Sequence, residues 1–250
     1  MAVLLVHGDR EYVREAGSEL QTDLGVLQVP DDVAPGDELT THLGETFVVR
    51  AFRGPDLFSH LERTGAPMLP RDVGLVIGHT GAQSGDRVLD AGTGTGVLAT
   101  YLGRLGADVV TYEKDADFAE VARRNVRMAG VEDRVAVRTG DLLTAIEDGD
   151  LLTAIEDDDG VAFDLLTLDT GDAPAIVSHA ADILVPGGFL AVYSPFVETT
   201  RAVVEAARDV LTDVEAVETI QRELDVDSRG TRPSTKGVGH TGYLTFARKR

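Results

Sequence analysis

The sequence predicts an α/β fold: a mostly parallel sheet with helices on both faces, ended by an antiparallel hairpin and preceded by a small β-rich module. Three observations predict it. From residue 72 onward, apolar runs of strand length alternate with segments of helical period. One strand-to-helix junction, from Val88 to Val97, is a tight glycine turn. Residues 2–52 show short β-rich runs broken by turn signals, with no strong helical period.

The elements follow in order. In the N-terminal part the runs are 2–6, 11–14, 25–29, 38–41 and 46–52, punctuated by Pro30-Asp31-Asp32 and Pro35-Gly36-Asp37, which predicts a small β-barrel or sheet. Residues 53–71 read as a connector, because Gly54-Pro55, Gly65-Ala66-Pro67 and Leu69-Pro70 interrupt any period. Then come a helix over 72–80, a strand at 87–90, a helix at 97–105, a strand at 108–113, a helix at 116–129 and a strand at 134–139. Later units are a strand at 163–169, a helix at 174–184, a strand at 189–193 and a helix at 197–211. Residues 214–226 and 242–248 read as one long terminal hairpin. Repeated βαβ units need right-handed crossovers, which places helices on both faces. The expected division is an N-terminal β-rich domain over 1–60 and a larger domain over 61–250. Residues 140–148 read GDLLTAIED and 149–157 repeat them letter for letter, a local duplication that predicts a lengthened, solvated loop or helix.

Composition narrows the classes. There is no cysteine, which excludes disulfides, thiolate metal sites and a cysteine nucleophile, and no metal site is expected. No apolar run approaches membrane-spanning length. Residues 1–6 are apolar, but they lack a basic flank and lead at once into His7-Gly8-Asp9, so they read as a strand and the expected location is cytoplasmic. Net charge is -20, and only three of the 23 basic residues are lysine: Lys114, Lys236 and Lys249. This balance resembles proteins of salt-loving archaea, where a Debye length of about 3 Å at molar salt makes surface repulsion tolerable. Acidity of that kind does not exclude an RNA substrate. The charge is also uneven: residues 139–200 hold no Lys or Arg, while Arg222, Arg229, Arg232, Lys236, Arg248, Lys249 and Arg250 crowd the end. Arg50, Arg53, Arg63 and Arg71 form a second basic group. These two regions are the candidates for phosphate contact.

The chemistry centres on Asp90-Ala91-Gly92-Thr93-Gly94-Thr95-Gly96. An apolar strand ends in a carboxylate, and three glycines then let the backbone approach a ligand at a helix N-terminus. The spacing is G-x-G-x-G, and Val97 stands where a dinucleotide fingerprint needs its third glycine. A leading carboxylate suits a ligand with a cationic or amino group better than a pyrophosphate. The pattern resembles the first motif of class I S-adenosylmethionine-dependent methyltransferases, with Asp90, Gly92, Thr93, Gly94, Thr95 and Gly96 at the cofactor. Open parallel sheets bind ligands at their C-terminal strand ends. Four acids fall there: Asp90, Glu113, Asp141 and Asp169. Glu113 suits ribose hydroxyls, 21 residues after Gly92, and Asp141 suits an adenine amino group. Asp150 sits in the same sequence context as Asp141, and the first copy is favoured because it directly follows a strand.

Further stretches extend the resemblance over nearly the whole chain. They are Thr22-Asp23-Leu24-Gly25, Leu69-Pro70-Arg71-Asp72, Tyr112-Glu113, Gly140-Asp141, Leu168-Asp169, Tyr193-Ser194-Pro195, and Arg232-Pro233 followed by Gly239-His240-Thr241-Gly242-Tyr243-Leu244. Together they resemble the archaeal members of the tRNA (adenine-N1)-methyltransferase family that modifies adenine 58 of the T-loop. The resemblance implies a Rossmann-like seven-stranded methyltransferase sheet, S-adenosylmethionine as cofactor, a homotetramer, and an N-terminal β-domain that helps hold tRNA. It implies Asp169 as the catalytic residue facing the target base, with Tyr193, Arg229, Arg232 and His240 as candidates for holding the base or its phosphates. Two departures stand out: the family's D-L-P-x-P-W is replaced around Thr170, Gly171, Ala173 and Pro174, and Thr199 replaces a glutamine after Ser194-Pro195. Two rival readings are an isoaspartyl-repair methyltransferase and a non-catalytic tRNA-binding subunit. The β-module and the Arg-Pro…His-Thr end argue against the first, and the intact acids and glycines against the second.

Overall fold

The computed structural model describes residues 2–149, 151, 162–236 and 242–250. The N-terminal part folds as β1 (Ala2–His7), β2 (Arg10–Glu15), β3 (Glu19–Thr22), β4 (Gly25–Gln28), β5 (Glu38–Thr40) and β6 (Thr46–Ala51). It is a four-stranded antiparallel sheet ordered β2-β1-β6-β5, with β3 and β4 as a separate hairpin. Val3, Leu5, Leu20, Leu27, Phe47 and Val49 fill its core. Strand β3 was not anticipated, because Glu19 and Gln21 face solvent and leave only Leu20 buried.

The segment expected to be a plain connector holds α1 (Gly54–His60), and α2 (Pro70–Thr80) starts two residues earlier than expected. Pro55 and Pro70, two of the three prolines that read as breaks, stand in the first turn of each helix, where a missing N–H costs nothing.

The main sheet comprises β7 (Arg87–Ala91), β8 (Asp108–Glu113), β9 (Val135–Thr139), β10 (Phe163–Leu168), β11 (Leu184–Ser194), β12 (Thr212–Glu218) and β15 (Tyr243–Arg248). Its order is β12-β15-β11-β10-β7-β8-β9, parallel except for β15, which runs antiparallel to β11 and β12. Strand order reverses between β7 and β10, which opens a crevice at their C-terminal ends. Helices α2, α3 (Val97–Leu105) and α4 (Ala116–Ala129) cover one face. On the other lie α5 (Leu142–Glu147), α6 (Ala173–Val177), α7 (Ala180–Ile183) and α8 (Val197–Val210). Strand alternation divides the two cores: Leu89, Leu166 and Leu190 face α5–α8, while Val88, Val109 and Leu165 face α2–α4.

Two expectations change. The helix foreseen at 174–184 splits in two, and β11 begins at Leu184, with a register shift between Phe163 and Leu165 on β10. The long terminal hairpin also breaks. Pairing of β12 with β15 ends at Glu218↔Tyr243, and residues 224–233 pair with themselves as β13 (Leu224–Asp227) and β14 (Gly230–Pro233). In the duplicated nonapeptide, the first copy forms α5, and the second lies outside the described residues apart from Gly149 and the buried Leu151.

Candidate active site

The carboxylate of Asp90 is fixed by register. Asp90 pairs with Thr111 on one flank and Thr167 on the other, so all three side chains share a face. Thr111 Oγ1 and Thr167 Oγ1 each donate to Asp90 at 2.5 Å, and Thr93 Oγ1 meets Thr111 Oγ1 at 2.5 Å. Asp90 is buried, and burial pushes its carboxyl above the usual range, opposed by the two threonine hydrogen bonds.

The glycine loop is then threaded by backbone bonds. Gly92 N–H and Thr93 N–H donate to Tyr112 O at 3.0 and 3.3 Å, and Gly94 N–H donates to Glu113 Oε2 at 2.8 Å. Gly92 has φ +87, and a Cβ there would stand 2.0 Å from the carbonyl oxygen of Asp169. Only glycine fits, so the loop and the end of β10 are in direct contact. Asp169 N–H in turn donates to Ala91 O at 2.8 Å.

These residues surround a cavity of about 410 Å³ whose lining includes Asp90, Gly92, Thr93, Gly94, Thr95, Glu113, Asp141 and Asp169. The structure therefore brings together eight of the nine cofactor and catalytic candidates, and Gly96 closes the loop as the N-cap of α3. The role expected of Glu113 is broader than ribose contact, since its two oxygens also accept from the N–H groups of Gly94 and Asp115. Asp141 caps α5 through Leu143 N–H at 3.0 Å and pairs with Lys114 Nζ at 3.0 Å. Despite desolvation, Lys114 and the Leu143 N–H hold its carboxyl below the usual range. Lys114 also bridges to Asp172. Asp169 is the perturbed acid: burial, then the charges of Asp90 and Glu113, push its carboxyl up to about 7.

The remaining candidates lie elsewhere. The Tyr193 ring packs where a Cβ on Gly242 would fall, 2.5 Å from Tyr193 Cζ, and it does not line the cavity. Arg229 pairs with Asp227 at 2.7 Å and Arg232 with Asp225 at 3.7 Å, both on the exposed β13–β14 hairpin. His240 lies outside the described residues. Sequence reasoning missed one wall entirely. Thr64, Gly65, Ala66, Pro67 and Met68, from the supposed connector, also line the cavity, with Leu98, Phe118 and Ile176 as apolar contacts. Only the Gly65-Ala66-Pro67 turn signal marked that stretch.

The lining suits S-adenosylmethionine on its own chemistry. Among the described lining residues, four carboxylates face a single cation, Lys114, which is already engaged by Asp141 and Asp172. Such a lining repels phosphates and favours a sulfonium and an ammonium group. Gly94 is open: beyond its chain neighbours, the nearest described atoms to the site its Cβ would take are Gly92 O at 3.9 Å and Thr64 Oγ1 at 4.0 Å, leaving room for a ligand against the backbone. Among the described residues no three His, Cys, Asp or Glu side chains form a metal-binding cluster, and no helix is long and apolar enough to cross a membrane.

Sheet order, glycine loop and acid edge define a class I S-adenosylmethionine-dependent methyltransferase. Residues 53–231 match the family described as the tRNA methyltransferase complex GCD14 subunit. The tRNA (adenine(57)-N(1)/adenine(58)-N(1))-methyltransferase TrmI of Methanocaldococcus jannaschii is 32% identical over 263 residues, covering 96% of this chain and 92% of that protein. The tRNA (adenine(58)-N(1))-methyltransferase TrmI of Thermus thermophilus is 31% identical over 222 residues, covering 87% and 83%. In fold, the crystal structure of tRNA (m1A58) methyltransferase TrmI from Aquifex aeolicus matches with TM-score 0.71 at 21% identity, over 100% of this chain and 97% of that one. The chain belongs to this tRNA (adenine-N1)-methyltransferase family.

Proposed function

We propose that this protein methylates N1 of adenine 58 in the T-loop of tRNA, with adenine 57 as a second target, the pair carried in the name of its M. jannaschii relative. The single observation that carries the site assignment is Asp169, an acid held near pKa 7 at the cavity edge and wedged against Gly92. S-adenosylmethionine supplies a methyl group on a sulfonium leaving group. Adenine N1 has a free lone pair, so the protein needs no general base there; it must position the base and balance charge. Asp169, once ionised, accepts from the adenine N6 amino group as the ring becomes cationic. Asp90, Glu113 and Asp141 hold the cofactor, with Gly92, Thr93, Gly94, Thr95 and Gly96 supplying backbone approach. N1 lies on the Watson–Crick edge, so the base must leave its stack to reach the cavity.

In the same reading residues 1–60 form a tRNA-holding domain, and residues 61–250 the catalytic one. Arg229, Arg232 and His240 contact the RNA, Tyr193 supports that surface, and the working particle is a homotetramer. The test is direct: unmodified tRNA transcript and labelled S-adenosylmethionine, incubated with the protein in molar KCl, yield 1-methyladenosine in the T-loop. Nucleoside mass spectrometry that finds none, while calorimetry shows intact cofactor binding, refutes the acceptor assignment and leaves the cofactor assignment standing.

A further inference from the structure

Helix α4 buries Ala119, Ala122, Asn125 and Val126, one polar side chain in an otherwise apolar stripe. Asn125 is the only asparagine in the chain's 250 residues. Its side chain is 2% exposed, yet every polar atom is used. Nδ2 donates to Glu62 O and to Thr95 O, both at 2.8 Å, and Oδ1 accepts from Glu62 N–H at 3.0 Å. A primary amide offers two donors and an acceptor on one rigid plane, and here they reach two separate segments. One is the glycine loop at Thr95. The other is the chain at Glu62, just before the stretch from Thr64 to Met68 that lines the cavity. Thr64 adds weaker contacts to the same loop, its N–H and Oγ1 lying 3.5 and 3.4 Å from Thr95 Oγ1.

We infer that Asn125 is a positioning residue for cofactor binding: it latches the wall formed by residues 64–68 to the glycine loop and so sets the width of the cavity. The inference rests on reading that cavity as the S-adenosylmethionine site. Asn125 does not line the cavity; it acts through Thr95 and Glu62. No other residue type of similar size supplies the set. Aspartate would set a carboxylate against two carbonyl oxygens, and leucine would leave three backbone groups without their partner. The neighbouring Glu62–Arg124 ion pair, at 2.6 Å, is exposed and uses the Glu62 carboxylate, whereas the latch uses only the Glu62 backbone.

The test uses the full chain in molar KCl. Calorimetry with S-adenosylmethionine and with S-adenosylhomocysteine reads affinity, and hydrogen exchange reads the amides of residues 61–68. Asn125→Ala is expected to weaken both ligands roughly tenfold and to speed exchange at Glu62, while turnover at saturating cofactor stays within about threefold. Asn125→Asp keeps the side-chain volume and, assayed at low pH where its carboxyl is protonated, serves if the alanine variant folds poorly. Its affinity is expected to fall further at pH 8 and to recover as the pH drops and the new carboxyl takes up a proton, a trend absent in Asn125→Ala. Arg124→Gln is expected to bind within about twofold of the parent. The inference is overturned if Asn125→Ala binds both ligands like the parent with unchanged exchange, or if Arg124→Gln weakens binding as much as Asn125→Ala. A parent chain that takes up neither ligand overturns instead the cofactor reading, while the exchange rates still decide whether Asn125 holds the wall.

Discussion

The acid edge of the sheet and the β13–β14 hairpin are built from similar residue types in opposite physical states. At the edge, Asp90 and Asp169 are desolvated and shifted upward, held by threonine hydroxyls and backbone contacts. On the hairpin, Asp227 is drawn below the usual carboxylate range by Arg229, and both are exposed. The hairpin also leaves Leu224 and Val226 60% and 74% exposed. A perturbed acid in a cavity points to chemistry. An exposed arginine pair points at most to a surface that meets something else. The difference teaches that residue identity proposes a role, while burial and partners separate catalysis from contact.

The sharpest way to break this comparison is at Gly92. Gly92→Ala forces a Cβ to within 2.0 Å of Asp169 O at a positive φ. The expected result is loss of cofactor binding by calorimetry and destabilisation of about 3 kcal/mol in urea unfolding. A variant that binds cofactor normally would show that the loop and β10 are not interlocked.

Next comes Asp169. Asp169→Asn is expected to keep cofactor affinity and to lose turnover roughly a hundredfold. In the parent, turnover rises with pH through about 7 as this carboxyl ionises, and the asparagine variant lacks that limb. Stability carries the opposite sign. The folded pKa is raised, so the fold holds the proton that the unfolded chain has lost, and stability falls as pH rises from near 4 to about 7. Asp169→Asn is therefore expected to melt higher than the parent at pH 8 and equally at pH 3. Scanning calorimetry at the two pH values decides it.

Smaller effects belong to the hairpin. Arg229→Ala with Arg232→Ala leaves melting temperature and cofactor affinity unchanged, raises KM for tRNA several-fold, and flattens the salt dependence of RNA binding. Unaltered RNA affinity would remove these arginines from the substrate surface. Smallest is Lys114→Gln. It breaks an exposed bridge to Asp141 and Asp172, and cofactor affinity is expected to shift by about threefold or less.

Much of the site was legible because strand ends are legible. Apolar runs at 87–91, 108–113 and 163–168 each stop at or beside an acid, and parallel strands bring such ends to one edge. The wall at residues 64–68 was not legible, since nothing local says that a proline-rich connector folds back across the glycine loop. Asn125 left a trace, a polar residue inside an apolar helical stripe, but a stripe does not name a partner 63 residues away. The terminal hairpin was misjudged for a related reason: strand propensity runs through 214–226, while pairing stops where β15 begins, at Tyr243.

By itself the sequence determined the strand and helix order of the main sheet, the glycine turn and the acids at its edge. These follow from local periodicity and from where charge can sit on a half-buried strand. Only the tertiary structure decided that Thr111 and Thr167 flank Asp90, that Gly92 presses on Asp169, and that Asn125 joins Glu62 to the glycine loop at Thr95. Those are facts of register and close approach between distant parts of the chain, and a one-dimensional pattern does not contain them.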